Sequence, residues 1–381
     1  MKIGIVSYWF NRGQATVSRQ LRSILDGLGH ETFVLARPTK EWAYRPQLVE
    51  RSDVWDQPDV TAGTSFDMPR EEYEEWARRC RLDLIFFDQN YQFEEIAHLR
   101  SSGFRTVGRF VWEQFGAEHV PGAGRAFDVI YSLTRCEQER YRDAFGLETP
   151  LIPWGCHPEL VSFPVETRED ATYFFYPGGY LTKRKPTAAV IEAFSNVERD
   201  DVRLIVKAQR PLNRSHLIRP RTIGDLNRRR KSIFRRRDAA IATGDLDRRI
   251  VVNVDDLPSE DYRALFSSCH VCLAPSRWEG LGLHLYEATA FGMPLITNDD
   301  PPMNELVRDG HNGLLVPSVE IGPAPSGIPA YEPDVDGLRR AIESLADPAF
   351  REGLAESARS VRRELSWEGT IEGYRDLLET R

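Results

Sequence analysis

One stretch of the sequence, Ala274 to Pro294, constrains the fold more than any other. It reads APSRWEGLGLHLYEATAFGMP and follows His270 to Leu273, a short apolar segment typical of a buried strand. Two glycines then form a loop, and helical spacing runs from about Leu283 to a stop at Gly292. A strand, a glycine turn and a helix in this order predict an α/β fold with a ligand site at the turn.

The glycine turn and two nearby carboxylates predict the kind of ligand. Glycines after a strand let the backbone approach a ligand closely, and the free N–H groups at the following helix start favour an anion such as a phosphate. Glu279 lies on the loop and Glu287 lies one turn into the helix, so the two acids can contact different parts of one elongated ligand. A nucleotide-sugar has that shape. The alternative is structural, because acids near a helix start are stabilised by its dipole whatever the function.

The two glutamates belong to a longer run with a distinctive pattern. Seven residues separate them within PSRWEGLGLHLYEATAFGMPLI, and the sequence NELVRDGHNGLLVP follows at residues 304–317. This run resembles the signature of glycosyltransferase family 4, in which Glu305 also matches an acid. The resemblance implies a retaining enzyme with the GT-B fold. In that α/β fold two Rossmann-like domains face each other across a cleft, and a C-terminal helix crosses back to the first domain.

The length of the chain agrees with two domains. At 381 residues it is too long for one ordinary core, which favours two α/β domains of comparable size. The opening pattern of strand, helix and strand, from Lys2 to Ala36, is similar to the N-terminal domain of the family. We predict a first domain from 1–164 together with a returning helix from 366–381. A nucleotide-sugar donor domain is predicted from 165–365.

Charge and cysteine content limit the possible classes of protein. The net charge of −8 argues against nucleic acid as a partner. The five cysteines are an odd number without the spacing of a disulfide framework or a zinc site, which favours a reducing, cytoplasmic environment. No apolar run approaches the roughly 18 residues that a membrane helix needs.

Loops of the first domain are predicted to face the acceptor. In the resembled family the loop after the first strand, here residues 11–14, faces the cleft. The family places a histidine followed by an acid at the end of a later strand, predicted here from Thr106 to Val111, where this chain has a tryptophan instead. The aromatic-rich stretch from Pro38 to Glu72 is either a further acceptor-side loop or a packed surface excursion. The predicted acceptor-side residues are Arg12, Gln14, Trp112, Glu113 and His119.

A basic turn in the second domain is predicted to bind a diphosphate. The segment from Pro177 to Pro186 has two glycines after a strand and then Lys183, Arg184 and Lys185. Fixed positive groups stabilise charge that develops on a leaving phosphate. The segment resembles the family's Gly-Arg-Leu…Lys sequence, with Lys185 at the lysine but Tyr180 at the arginine position. A solvated basic turn is the structural alternative.

The resemblance assigns a role to each candidate residue. Lys185 and the helix start at Gly282 and Leu283 would stabilise the leaving diphosphate, Glu279 would contact the donor sugar, and Glu287 would hold the ribose. A strand and loop at Asn253 and Val254 would hold the base. The predicted catalytic residues are Glu279 and Lys185, and the predicted donor-binding residues are Gly13, Gly179, Tyr180, Arg184, Asn253, Val254, Gly280, Leu281, Gly282, Leu283 and Glu287.

No metal or bound cofactor is predicted beyond the nucleotide diphosphate sugar itself. Two Asp-x-Asp sequences, at 245–247 and 334–336, resemble a metal motif of a different glycosyltransferase fold, but neither follows a strand in the required way. Asp334 or Asp336 can instead cap the helix that continues from Leu338. The basic segment Arg228–Arg237 could contact a membrane surface, although a solvated helix is the better interpretation.

The resemblance therefore implies a retaining, metal-independent glycosyltransferase that uses a same-face mechanism. The acceptor stays open among a saccharide, a natural product, a lipid-linked molecule and a protein. Two alternatives also stay open. One is a sugar-nucleotide epimerase of the same fold, and the other is a non-catalytic homologue that binds the nucleotide-sugar. The second is suggested by Tyr180 and Trp112, which depart from the family pattern.

Overall fold

The computed structural model of the chain describes residues 1–40, 48–179, 183–208, 247–255, 257–324 and 326–379. The chain divides into two compact units. The first is Met1–Trp154 together with the C-terminal segment that starts at Glu368, and the second is Gly155–Trp367. Each unit contains one six-stranded parallel sheet with helices.

The sheet of the first unit has the strand order of a Rossmann fold. Its order is β3-β2-β1-β4-β5-β6, so the direction of strand progression reverses between β1 and β4. The strands are β1 Lys2–Tyr8, β2 Glu31–Arg37, β3 Val60–Ala62, β4 Leu84–Asp88, β5 Arg105–Arg109 and β6 Val129–Tyr131. The helices are α1 Gly13–Gly27, α2 Arg70–Cys80, α3 Phe93–Ser101, α4 Val120–Ala126 and α5 Arg135–Phe145.

The sheet of the second unit repeats this order. It reads β12-β11-β10-β7-β8-β9, with the reversal between β7 and β10. The strands are β7 Thr172–Gly179, β8 Val202–Ala208, β9 Ile250–Asn253, β10 Val271–Leu273, β11 Leu295–Asn298 and β12 Gly313–Val316. The helices are α6 Pro158–Val161, α7 Thr187–Ser195, α8 Ser259–Ser267, α9 Leu283–Ala290, α10 Met303–Leu306, α11 Val335–Ala346 and α12 Pro348–Glu364. Open α/β sheets bind ligands at such a reversal, beyond the carboxyl ends of the strands.

Apolar side chains cover both faces of the second sheet. One core contains Phe174, Phe194 and Ile342, and the other contains Phe175, Phe266 and Leu285. Phe174 and Phe175 are neighbours on β7, so they point to opposite faces of the sheet. A sheet that is buried on both faces explains why its strands read as continuous apolar runs rather than alternating ones.

Two elements extend the two-sheet plan. An antiparallel hairpin, β13 Ser318–Pro323 and β14 Pro329–Pro333, lies in the second unit. The last helix, α13 Trp367–Glu379, packs in the first unit, where the hydroxyl of Tyr374 lies 3.3 Å from that of Tyr131. The predicted return of the C-terminal helix to the first domain is therefore confirmed. Asp334 caps α11 through a 2.7 Å hydrogen bond from the Gly337 backbone N–H, as predicted.

The domain boundary differs from the predicted one. The prediction placed it after residue 164, whereas the structure assigns residues 155–164 to the second unit. Cys156 explains this difference, because its backbone N–H donates to the Leu365 carbonyl at 2.8 Å and its thiol lies 3.6 Å from the Tyr286 carbonyl. Glu159 also forms a 2.9 Å ion pair with Arg263.

One predicted strand ends early. The strand predicted from Thr106 to Val111 is β5, which ends at Arg109 because its register with both neighbours ends there, opposite Asp88 and Tyr131. The chain then leaves the sheet before Trp112. Among the helices that the structure describes, none offers an apolar stretch with the length that a bilayer crossing needs.

Candidate active site

The predicted glycine turn lies at the strand reversal of the second sheet. Gly179 ends β7 with φ +53°, and Gly282 precedes α9 with φ +75°. Both angles lie in the left-handed region, which glycine adopts without the strain that a Cβ would cause. A Cβ on Gly282 would also approach Leu285 and Glu279 to 3.0 and 3.4 Å. The helix therefore begins immediately beside Glu279.

Glu279 is the centre of a buried charged cluster. One carboxylate oxygen, Oε2, accepts from the Lys185 ammonium at 3.1 Å and from the Ser276 hydroxyl at 3.2 Å. The other, Oε1, accepts from the Arg184 guanidinium. Lys185 also donates to Ser276 Oγ at 2.6 Å. Glu279 and Lys185 are 6% and 5% exposed, so this ion pair is shielded from bulk water.

The electrostatics of this cluster keep Glu279 ionised. Burial by itself raises the pKa of the carboxyl, but Arg184 and Lys185 outweigh it and hold the pKa below its usual range. Burial lowers the pKa of Lys185, and the charge of Glu279 partly offsets that effect. The structure therefore brings together three residues that the sequence predicted from loops about 95 residues apart in the chain.

Arg277 joins the basic turn to the hairpin. Its guanidinium donates to the backbone carbonyls of Lys183 at 2.7 Å and Lys185 at 3.4 Å, and its other donors pair with the Glu332 carboxylate on β14. The Arg277 backbone N–H also donates to the Arg184 carbonyl at 2.8 Å. These contacts hold the turn that carries the two cations. The sequence analysis missed this role, because Glu332 lies 55 residues from Arg277.

Glu287 lies in a different environment from Glu279. Its carboxylate accepts from the Tyr262 hydroxyl at 3.4 Å, and Arg263 acts on it only at longer range. Burial raises the pKa of Glu287 to about 7, although Arg263 and the tyrosine hydroxyl lower it. The two glutamates of the motif therefore differ in charge near neutral pH, which agrees with contacts to different parts of a ligand.

His284 is a site residue that the sequence analysis did not single out. It lies on the first turn of α9, and its Nε2 is buried without a hydrogen-bond partner among the described residues. Burial, together with the adjacent Lys185, lowers the pKa of His284 to about 3. Its imidazole is therefore neutral at physiological pH. Its position between Glu279 and Glu287 in the sequence is the signal that could have identified it.

The predicted base-binding residues lie at the carboxyl end of β9. Asn253 ends that strand, and its side-chain oxygen accepts from the Asp255 backbone N–H at 3.2 Å. Val254 packs against the core beneath. Lys207, in register with Asn253 on β8, donates to the Asp255 carbonyl at 2.8 Å and so supports the same loop. Lys207 was not predicted as a site residue.

The loop after β1 supplies three predicted residues in the first unit. Gly13 begins α1 and Arg12 precedes it, with its guanidinium 5.2 Å from the Phe10 ring centroid. Gln14 lines a pocket of about 270 Å³ at the carboxyl ends of the first sheet. We name it the Gln89 pocket. Its lining residues are Tyr8, Gln14, Arg37, Lys40, Phe66, Asp67, Gln89, Tyr91, Gln92 and Gln114.

Three other predicted acceptor-side residues do not line this pocket. Trp112 is buried, and its backbone N–H donates to Glu137 Oε1 at 3.1 Å. Glu113 lies next to it and is partly buried. His119 accepts from the Gly116 backbone N–H at 3.0 Å and packs against Tyr91. Gln114, which was not predicted as a site residue, lines the pocket, whereas its predicted neighbours Trp112 and Glu113 do not.

Two predicted sites lie outside the described residues. Tyr180, at the family's arginine position, is one, and the basic segment Arg228–Arg237 is the other. Within the described ranges, no group of three or more histidine, cysteine, aspartate or glutamate side chains is placed to hold a metal ion.

Comparison with protein families finds a match over the segment that contains this site. Residues 251–323, which contain Glu279 and Glu287, match the model of the family described as glycosyl transferases group 1. The D-inositol 3-phosphate glycosyltransferase of Acidothermus cellulolyticus is 29% identical over 135 residues, which is 34% of this chain and 27% of that protein. The alpha-maltose-1-phosphate synthase of Mycolicibacterium smegmatis is 35% identical over 126 residues, 31% of this chain and 30% of that protein. In both of these relatives the alignment spans less than a third of their length.

Solved structures match the whole chain. Sucrose-phosphate synthase from Thermosynechococcus elongatus superposes with a TM-score of 0.72 at 19% identity, covering 100% of both chains. The chain has the GT-B fold. Anabaena HepE, solved with UDP and glucose, has a TM-score of 0.71 at 14% identity and again covers 100% of both chains. The GT-B fold predicted from the run around Glu279 is therefore confirmed.

Proposed function

We propose that this protein is a retaining glycosyltransferase that moves a sugar from a nucleotide diphosphate sugar to an acceptor hydroxyl. The observation that carries the proposal is the Glu279 cluster. A permanently charged carboxylate and two cations, Arg184 and Lys185, lie beside a helix start at the strand reversal of a Rossmann-like unit. Relatives that match about a third of this chain are named as glycosyltransferases, which supports the same activity here.

The cluster provides complementary charges for this reaction. Lys185, Arg184 and the N–H groups at the start of α9 would stabilise the diphosphate as the bond between it and the anomeric carbon breaks. Glu279 would stabilise the positive charge that develops on the sugar ring. The acceptor oxygen would bond to the anomeric carbon on the same face, and its proton would pass to the leaving phosphate oxygen. This route needs no carboxylate nucleophile and no metal ion.

Further assignments complete the proposal. Glu287 would bind the ribose, and the loop at Asn253 and Val254 would bind the base through backbone groups. UDP is the first nucleotide to test, since several structural neighbours were solved with UDP or a UDP-sugar. The five cysteines are free thiols, which supports a cytoplasmic location.

The first experiment identifies the donor nucleotide. We expect one of UDP, GDP, ADP, TDP and CDP to raise the melting temperature without magnesium. At 100 times its dissociation constant a ligand adds about 2.7 kcal/mol of stability. A panel in which no nucleotide acts, with or without magnesium, would contradict the proposal.

The second experiment tests the role of Glu279. Glu279→Gln keeps the shape of the side chain but removes its charge, so we expect transfer to fall at least 100-fold while the nucleotide still binds. Glu343→Gln is the matched control, because Glu343 pairs with Arg339 on α11, away from the Glu279 cluster. Turnover by Glu279→Gln at the wild-type rate would remove Glu279 from the mechanism.

A further inference from the structure

The Gln89 pocket lies at the strand reversal of the first sheet. Tyr8 ends β1 and Gln89 directly follows β4, the two neighbouring strands between which the order reverses. This is the position at which open α/β sheets bind ligands. The described residues that line the pocket belong to the first unit, so its chemistry can be examined separately from the Glu279 cluster.

Gln89 is held in a conformation that its own side chain does not favour. Its φ of +49° lies in the left-handed region, which costs a non-glycine residue energy. The residue is 4% exposed, its Oε1 accepts from the Tyr91 hydroxyl at 2.9 Å, and its Nε2 has no hydrogen-bond partner among the residues that the structure describes. A buried amide that lacks a partner is costly unless a ligand or water supplies one. The strain and the unused donor occur together in the pocket wall.

Two more glutamines add unused hydrogen-bonding groups. The side chains of Gln14 and Gln114 line the pocket and make no hydrogen bond to the described residues. Each amide offers two donor hydrogens and an acceptor oxygen, which matches the dual character of a hydroxyl group. Tyr8 and Phe66 add aromatic faces, with their ring centroids 5.6 Å apart. Amides beside aromatic rings suit a ligand ring that carries hydroxyl groups on its edge.

Two cations, Arg37 and Lys40, line the pocket. Arg37 donates to the carbonyls of Phe66 at 3.0 Å and Gln89 at 3.1 Å, and it lies 3.6 Å from Asp67. Lys40 stands 4.4 Å above the Phe66 ring, and none of the described carboxylates is within 4.0 Å of its ammonium group. The pocket therefore presents a positive charge next to its amides and aromatic rings.

We propose that the Gln89 pocket binds the acceptor, and that this acceptor is a hydroxyl-rich ring carrying an anionic group. Gln14, Gln89 and Gln114 bind the hydroxyl groups, and Lys40 pairs with the anion. That this ligand acts as the acceptor rests on the proposed transferase function. Whether the first unit binds such a ligand does not depend on that function, so the two proposals can fail separately.

Direct binding to the full chain without nucleotide tests the proposal. The probes are matched pairs of a neutral ring and its anionic derivative: glucose and glucose 6-phosphate, galactose and galacturonate, myo-inositol and myo-inositol 1-phosphate. Inorganic phosphate alone is a further probe. We expect at least one anionic member to bind roughly tenfold or more tighter than its neutral parent, as a charge-assisted hydrogen bond allows.

Two sets of variants assign the interactions to residues. Lys40→Gln should abolish the preference for the anionic member. Lys2→Gln should keep it, because Lys2 lies at the opposite end of β1, where it pairs with Glu31. Gln14→Ala and Gln114→Ala should weaken both members of a pair equally, by roughly three- to tenfold.

The outcomes are decisive in both directions. A preference for the anionic ring that disappears only in Lys40→Gln supports the proposal. Three results overturn it: no anionic ring binds better than its parent, the preference survives in Lys40→Gln, or phosphate alone binds as tightly as the anionic ring. If a nucleotide raises the melting temperature while these binding tests fail, the transferase proposal stands and only the acceptor class is wrong.

Discussion

At the scale of single residues, the two glutamates of the motif show how position alone changes chemistry. Glu279 lies within hydrogen-bond distance of two cations and a hydroxyl, so its pKa lies below the usual range. Among the described residues Glu287 has a tyrosine hydroxyl as its close partner, and burial raises its pKa to about 7. The same side chain therefore provides a fixed negative charge at one site and a titrating group at the other.

The raised pKa of Glu287 predicts a pH-dependent stability difference. In the unfolded chain this carboxyl ionises near pH 4.5, and in the folded chain near pH 7. Because the folded state holds the proton more tightly, the wild type loses stability as the pH rises through this window, and the loss is complete above it. Glu287→Gln cannot ionise, so its melting temperature relative to the wild type should increase between pH 4.5 and 7. The free energy of unfolding of Glu287→Gln should exceed that of the wild type by about 1–3 kcal/mol above pH 7.

Thermal melts of the nucleotide-free protein from pH 4.5 to 8.5 measure this difference, with Glu343→Gln as the surface control. A difference that does not change with pH would show that Glu287 keeps its ordinary pKa. The same variant should bind the nucleotide more weakly if Glu287 holds the ribose. A charged residue that a ligand requires commonly lowers the stability of the ligand-free protein.

At the scale of elements, the hairpin β13–β14 supports the site without belonging to either sheet. Glu332 on β14 holds the Arg277 guanidinium, which in turn binds the backbone carbonyls of Lys183 and Lys185. The Tyr331 backbone N–H donates to the Arg277 carbonyl at 2.8 Å. The cations of the basic turn are thus positioned through their backbone, while their side chains stay available to Glu279 or a phosphate.

This arrangement predicts that Arg277 affects diphosphate binding at a distance. Arg277→Ala should release the basic turn and weaken UDP binding roughly tenfold, since oriented cations bind phosphate better than mobile ones. Binding of uridine, which lacks the diphosphate, should change little. Calorimetric titration of both ligands measures the difference, and Arg308→Ala, which removes only a surface pair with Glu364, is the control. Equal weakening of UDP and uridine would indicate general loss of structure instead.

At the scale of the whole molecule, the C-terminal helix completes the core of the first unit. Tyr374 on α13 is fully buried, and its ring lies against Tyr131 and Phe86, which belong to β6 and β4. Arg105 on β5 donates to the Leu377 and Leu378 carbonyls at 3.0 and 2.8 Å. The first unit is therefore built from two segments that lie far apart in the sequence, and its core is complete only when α13 is in place.

Tyr374→Ala should therefore destabilise the first unit selectively. Loss of a buried aromatic side chain typically costs about 3–5 kcal/mol. Tyr374→Phe removes only the hydroxyl that faces Tyr131 and should cost about 1 kcal/mol. Calorimetry with and without the nucleotide should show the first unit melting earlier, while the nucleotide still shifts the second. Loss of the nucleotide effect in Tyr374→Ala would mean that the two units do not unfold independently.

The sequence by itself determined the features that depend on neighbouring residues. Apolar runs marked most strands of both sheets, and glycines marked the turns at Gly179 and Gly282, where the backbone angles require them. The run around Glu279 and Glu287 resembles a family signature, and that resemblance implied the GT-B fold. These signals are local, because a strand, a helix start or a left-handed turn is specified within a few residues.

Only the tertiary structure decided which distant residues meet. Strand order brings Gln14, Lys40, Phe66 and Gln89 to one end of the first sheet, and no local pattern encodes that order. Trp112, a predicted acceptor-side residue, follows β5 after that strand has ended, and Glu137 accepts from its backbone N–H in the interior. The pKa values of Glu279 and Glu287 likewise depend on burial and on partners from other elements. Charge and hydrogen bonding act through space, so their outcome follows from the packed fold rather than from the order of residues along the chain.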